Sequence, residues 1–366
     1  MKRTWLALAP QSRASLHEVN ESCWLYAEAE QADLSAEEII VVGHASEAKD
    51  KALELVARGI DATRLSYVDL QPGDDFFTRI GTPKHLFWDD VVPISALNAE
   101  EDFAVYPTGL GFLQKNLGWF WRLPELVIMC GPYGCGKSTL GQILATCFVN
   151  DREAGRALGS GAMLCSWEDL ESEVARNVRN FASAHDAPDL LDKIHFVRRR
   201  ASEERLVSWY MDLVRYHKRR YGTRFFFLDP WNEMDHKRDP RQLETDYVKD
   251  IMRVFRDLVD EEQIILIIAT HIPGKFIRGD GSIEPFKIGH AFGSSNFGNK
   301  ADRGICLART KKFGGAHGHA VIRLDKSKVE RKMGRKGTVA ARLDTERFCL
   351  EYDGHATLAA QEIWKD

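Results

Sequence analysis

The sequence predicts an α/β protein of two units, the larger built on a mostly parallel central sheet covered by helices. Three observations carry this expectation. Apolar runs of strand length recur between residues 125 and 309, separated by amphipathic stretches, the pattern of strands buried on both faces. GPYGCGKS, residues 131–138, has the spacing G-x-x-x-x-G-K-[ST] and sits between one such run and a helix-like run. A separate strand–helix–strand pattern occupies residues 37–73.

The 366 residues exceed one ordinary domain. A composition of 44% hydrophobic and 28% charged residues is that of a soluble globular protein. The net charge of −4 excludes a wholly basic nucleic-acid coat, so any basic surface is local. Seven scattered cysteines without C-x-x-C spacing argue against a zinc ribbon and for thiols in a reducing cytoplasm. The opening MKRTWLALAPQSR holds too short an apolar run for a signal peptide, and no stretch approaches the roughly 20 residues of a membrane span, so no membrane partner is expected.

In chain order, EEIIVVGHAS (37–46) reads as a buried strand, EAKDKALELVARGI (47–60) as a helix and TRLSYVDLQPG (63–73) as a strand and turn. These define an N-terminal unit over 1–82. Residues 83–105 mix proline, acids and apolar side chains and read as a linker, with the second unit at 106–366. Its strands are expected at ELVIMC (125–130), AMLCSW (162–167), IHFV (194–197), RFFFLD (224–229), IILIIAT (264–270) and GICLAR (304–309).

The glycine-rich loop reads as a phosphate cradle for a nucleoside triphosphate. Gly131, Pro132, Tyr133, Gly134, Cys135 and Gly136 bring backbone N–H groups to phosphate oxygens, Lys137 neutralises the outer phosphates, and Thr139 continues into the helix. Ser138 is placed to ligate Mg²⁺. Cys135 reads as a small tolerated residue, not a nucleophile. Asp229 ends a buried strand at the same sheet edge and can hold Mg²⁺ through water. Glu168, just beyond another strand, either activates the attacking water or, with Asp169 and Glu171, decorates a helix N-terminus. His271, ending IILIIATH, either senses the γ-phosphate or is structural. Residues 300–347 hold fourteen Lys/Arg against five acids, a local charge of +9 on a remainder of −13, which suits contact with a phosphate backbone.

These segments, in this order, resemble the hexameric replicative helicases of superfamily 4, in particular the Twinkle-like and phage toprim-helicase branch of the DnaB/RecA-like group. The resemblance spans roughly residues 106–353. It is carried by GPYGCGKST, SWEDLESEVARNVRNF, LDPWNEMDHKRDPRQLETDYV, ATHIPGK, AFGSSNFGNKADRGICLAR and LDKSKVERKMGRKG. It implies a RecA-like P-loop NTPase core, Glu168 as the water-activating carboxylate and His271 as phosphate sensor. It implies that Lys326 and Lys328 reach a neighbouring subunit's nucleotide, with Arg331 a substitute because relatives carry arginine at the second position. Residues 37–82 resemble a degenerate toprim unit that has lost its D-x-D pair, VVGHAS standing there instead. The function implied is an ATP- and Mg²⁺-dependent 5′→3′ DNA helicase in a phage or bacterial replisome. It would form a homo-oligomeric ring, a hexamer, on single-stranded or forked DNA, with primase and polymerase as partners, in the bacterial or phage-infected host cytoplasm. The alternatives are a RecA-like ATPase that binds DNA without unwinding it, acting as mediator or loader, and a nucleotide-binding scaffold.

Overall fold

The computed structural model describes residues 3–17, 22–25, 32, 34–44, 47–70, 83–85, 104–198, 205–239, 241–276, 284–291, 295–310, 318–328 and 334–364. The chain divides into two compact units, Met1–Asp102 and Phe103–Asp366.

The first unit contains β1 (Arg3–Ala7), α1 (Pro10–His17), β2 (Ser22–Leu25), β3 (Glu38–His44), α2 (Glu47–Ala57), β4 (Leu65–Leu70) and β5 (Lys84–His85). Its sheet runs β2-β1-β3-β4-β5, parallel except at β5. Alternate side chains of β3 enter two different cores, Ile40 and Val42 on one face and Ile39 and Val41 on the other, which explains its unbroken apolar run. Glu47 and Asp50 favour the first turn of α2, whose Ala48, Ala52 and Leu55 are buried. β1, α1 and β2 add two strands on the side of β3 away from β4, beyond the expected strand–helix–strand pattern. β5 belongs to this sheet although its residues fall in the expected linker. Most of the segment VDLQPGDDFFTRIG lies outside the described residues.

The second unit contains β6 (Val105–Pro107), α3 (Gly111–Leu117), β7 (Phe120–Arg122), β8 (Glu125–Gly131), α4 (Lys137–Asn150), β9 (Ala162–Ser166), α5 (Glu171–Ala184), α6 (Leu190–Lys193), β10 (Ile194–Phe196), α7 (Val207–Tyr221), β11 (Phe225–Asp229), α8 (Glu244–Glu262), β12 (Ile265–His271), α9 (Asn296–Lys300), β13 (Arg303–Thr310), β14 (His319–Ser327), β15 (Gly337–Asp344), β16 (Cys349–Tyr352) and α10 (Gly354–Ile363). The sheet order is β10-β9-β11-β12-β8-β13-β14-β15-β16. The six strands from β10 to β13 are parallel, each at a run expected from the sequence, and β14 to β16 add an antiparallel extension.

Helices cover both faces. Val174, Val178 and Phe181 of α5 pack on one, and Val248, Met252 and Phe255 of α8 on the other. α4 is buried on almost every side, and Gly141 lets it lie against the sheet: a Cβ there would stand 2.2 Å from the Phe227 ring. At the sheet end where β8 begins, Arg303 and Glu125 form a fully buried ion pair, Nε to Oε1 2.5 Å. The guanidinium also donates to the Phe120 carbonyl at 2.6 Å and lies 5.0 Å from the Trp119 ring centre, while Glu125 accepts from the Arg122 N–H at 2.8 Å. No helix of the described residues is long and apolar enough to cross a membrane.

Candidate functional site

The phosphate loop joins β8 to α4. Gly134 and Gly136 have φ of 69° and 96°, left-handed conformations that glycine adopts without strain. Gly131 is needed for close approach, since a Cβ there would lie 2.3 Å from the Leu307 carbonyl oxygen. The Cys135 thiol is buried and pushed up to about 11 by desolvation, so it stays protonated and is no nucleophile. Pro132 follows Gly131, and Tyr133 stands 79% exposed with its ring 5.9 Å from that of His271. Thr139, in the first turn of α4, lines a small pocket with Cys135, Gly136, Arg309, Ala320 and Leu343.

The C-terminal ends of β8, β9, β11 and β12 bring five expected residues together: Lys137, Ser138, Asp229, Glu168 and His271. The Lys137 ammonium donates to the carbonyls of Gly131 (3.3 Å) and Pro132 (3.0 Å), and meets His271 Nδ1 at 3.1 Å. An ammonium only donates, so Nδ1 accepts and the imidazole proton sits on Nε2. Nε2 faces Glu168 Oε1 at 3.4 Å. Burial first, then the Lys137 charge, lower the His271 pKa and hold the ring neutral. Lysine, imidazole and carboxylate thus form one chain across the sheet edge.

Asp229 is fully buried. Its Oδ2 accepts from the Ser166 hydroxyl at 3.3 Å, while its Oδ1 is a buried oxygen without a hydrogen-bond partner. Burial above all, with Asp169 adding, pushes this carboxyl up to about 7, against the pull of the Ser138 hydroxyl and Lys137. An orphaned hard oxygen beside the Ser138 hydroxyl fits Mg²⁺, which takes one or two protein oxygens and completes its shell with water and phosphate. An acid whose folded pKa exceeds its unfolded one stabilises the fold at low pH, and that contribution is lost as pH rises from about 4 to about 7. Asp229→Asn has no carboxyl to ionise. In Mg²⁺-free buffer it is expected to gain Tm relative to the parent as pH climbs through this window, and a constant difference would refute the buried-acid account.

One site residue, Asn232, escaped the sequence reading, and another, Asp169, was read only as helix decoration. The Asn232 side-chain oxygen accepts from the Thr270 hydroxyl and the His271 N–H, both at 3.2 Å, tying the turn after β11 to the end of β12. Asp169 accepts from Ser166 (3.0 Å) and Gln142 (2.8 Å), and Gln142 accepts from Asn177 (3.0 Å). Asp169 therefore braces α4 and α5 and is not mere helix decoration.

Lys326 and Lys328 lie elsewhere. Lys326 of β14 pairs with Gly304 of β13, which aligns with Ile128 in the middle of β8 rather than with the loop at Gly131. The Lys326 ammonium donates to the carbonyls of Gly298 (2.6 Å) and Asn299 (3.1 Å), and that of Lys328 lies 3.5 Å from Asp302. Arg331 lies outside the described residues.

Together, the parallel sheet, the loop between β8 and α4 and the acids at the strand ends give the larger unit the fold of a RecA-like P-loop core. Comparison with known proteins places that core. No family model matches the chain. In sequence it is 30% identical over 105 residues to the Twinkle homolog protein, chloroplastic/mitochondrial, of Arabidopsis thaliana, a match spanning 29% of this chain and 14% of that protein. In fold it is similar to a solved structure described as an ATPase domain, with a TM-score of 0.53 and 15% identity over 70% of this chain and 93% of that one. It is also similar to a DnaB-like replicative helicase described with its interactions with primase, with a TM-score of 0.55 and 13% identity over 83% of this chain and 75% of that one. The likeness in sequence is thus to that Twinkle homologue over the matched stretch, and the likeness to the solved structures is one of fold.

Proposed function

We propose that the chain hydrolyses ATP with Mg²⁺ and uses the energy to move along single-stranded DNA as a ring-forming 5′→3′ replicative helicase. The observation that carries the ATPase reading is the Lys137–His271–Glu168 chain beside the buried Asp229. Lys137 and the loop N–H groups hold the β- and γ-phosphates. Ser138 and Asp229 would hold Mg²⁺, which would offset phosphate charge. Glu168 takes the proton of the attacking water, and His271 keeps that carboxylate and Lys137 in fixed relation while reading the outer phosphate. Nucleotide entry competes with the loop carbonyls and His271 for Lys137, so the sensor strand registers occupancy.

DNA, a second copy of the chain and primase are proposed as partners from the helicase likeness, and the N-terminal unit as a toprim-like unit without primase chemistry. Strand displacement on a 5′-tailed fork, measured beside DNA-stimulated ATPase, tests the reading. ATP-dependent unwinding supports it. DNA-stimulated hydrolysis without unwinding would leave a DNA-binding ATPase, and no response to DNA would end the helicase proposal.

A further inference from the structure

Glu168 and His271 belong to a closed circuit of contacts whose far side is Arg205, just ahead of α7. Trp167 directly precedes Glu168. Its backbone N–H donates to the Asp229 carbonyl at 3.0 Å, and its indole is buried. The Arg205 guanidinium lies 5.5 Å from the centre of that indole. The same guanidinium donates through Nη1 to the Glu233 carbonyl at 3.1 Å and to Glu233 Oε2 at 3.2 Å. The Arg205 backbone is tied to the same turn in both directions. Its N–H donates to Asp235 Oδ2 at 2.6 Å, and the Asp235 N–H donates to the Arg205 carbonyl at 3.1 Å. Asn232, next to Glu233, holds the His271 backbone, and His271 Nε2 returns to Glu168.

Stability is not what the Arg205–Glu233 pair supplies. The Glu233 side chain is 49% exposed, and pairs so open to water stabilise a fold little. What the arrangement supplies is geometry and field. A planar guanidinium can lie against an indole while donating to a carbonyl and a carboxylate, whereas an ammonium is a point charge without a flat face. Glu233 also acts on the imidazole. Lys137 and Glu168 face His271 at 3.1 and 3.4 Å, the Tyr133 ring lies 5.9 Å from it, and the Asn232 amide meets its backbone. Burial first and then Lys137 lower the His271 pKa, while Glu168 and Glu233 raise it. Arg205, in contact with Glu233, tempers this last pull. Protonation of the ring would set an Nδ1–H donor against the Lys137 ammonium, so the neutral ring is the one that completes the circuit.

We infer that Arg205 is a positioning residue of the ATPase site: by joining Trp167 to the turn that carries Asn232 and Glu233, it fixes Glu168 against His271 and screens His271 from the Glu233 carboxylate. This rests on the ATPase reading for the effect on turnover, but not for the coupling of Arg205 to His271.

The test follows steady-state ATPase of the full chain across pH in the parent, Arg205→Met, Arg205→Lys and the double variant Arg205→Met/Glu233→Gln. Arg205→Met is expected to lose kcat about tenfold or more with a near-parental KM for ATP, because the carboxylate is misplaced while the phosphate loop is untouched. The acid limb of its kcat/KM profile, which reports the free enzyme, moves to higher pH, since an unscreened Glu233 favours the protonated imidazole. The double variant removes both charges and returns the acid limb to its parental position without restoring kcat. Arg205→Lys keeps the charge but not the flat face, so it holds the parental acid limb and recovers only part of the lost kcat. A merely structural role would lower kcat or Tm and leave the pH profile in place. Parental kcat in Arg205→Met, or an acid limb that does not move, would overturn the inference. Titration of the His271 ring by NMR without nucleotide, its signal assigned by its absence in His271→Gln, tests the coupling alone. A parent that hydrolyses no ATP, but whose His271 titrates at lower pH than in Arg205→Met, would reject the ATPase reading and keep the coupling. Identical titrations would overturn the coupling.

Discussion

Glu168→Gln is expected to bind ATP nearly as the parent does and to lose turnover by about 10²–10⁴-fold, the range for removing a general base. The amide keeps the carboxylate's shape, and its oxygen can still accept from His271 Nε2–H, now 3.4 Å away across the site. It cannot take a proton from water. Glu168 is only partly buried, so folding should be unaffected. Equilibrium binding of a fluorescent ATP analogue beside steady-state ATPase separates the two effects. Parental turnover in this variant would remove Glu168 from the chemistry and return it to the helix-terminus role.

Lys137→Ala should be more severe at binding. The variant loses the ammonium that faces the outer phosphates, and hydrolysis should fall on the order of 10³-fold, as when a preorganised charge is removed from a transition state. It also loses the contacts to Gly131, Pro132 and His271, so the sensor strand loses its link to the loop. ATP affinity should therefore fall together with turnover, unlike in Glu168→Gln. Lys137→Ala hydrolysing at more than about a tenth of the parental rate would show that the loop does not hold the reacting phosphates.

The inner parallel strands of the larger sheet, β8, β9, β11, β12 and β13, were legible because each carries an apolar run, and burial on both faces leaves little else such a run can be. The phosphate loop was legible because its glycines answer to local backbone geometry, as Gly131, Gly134 and Gly136 show. Asn232 was not, because its partners lie 38 and 39 residues on and meet it only when β11 and β12 pair. Asp169 was hidden for a similar reason: an acid ahead of a helix satisfies a local preference, and its contact with Gln142 needs α4 in place. β1 and β2 are five and four residues long, too short to show a period of their own. The lysine pair was the subtlest case. Two positions apart, both should share a face of a regular strand, but β14 ends at Ser327 and bulges at Asp325, so they find different partners.

The buried Arg303–Glu125 pair joins the first residue of β13 to the first residue of β8. A sheet can misalign by one residue, and apolar runs such as those of β8 and β13 would penalise that slip only weakly. Ions do not tolerate it. A slipped β13 would leave two opposite charges unmatched in the dry interior, at a cost of several kcal/mol. The pair acts as a keying pin: it admits one alignment of β8 against β13, and with it one height of the phosphate loop above the sheet. Precision at the reacting end is thereby set by a contact at the far end, which touches no ligand.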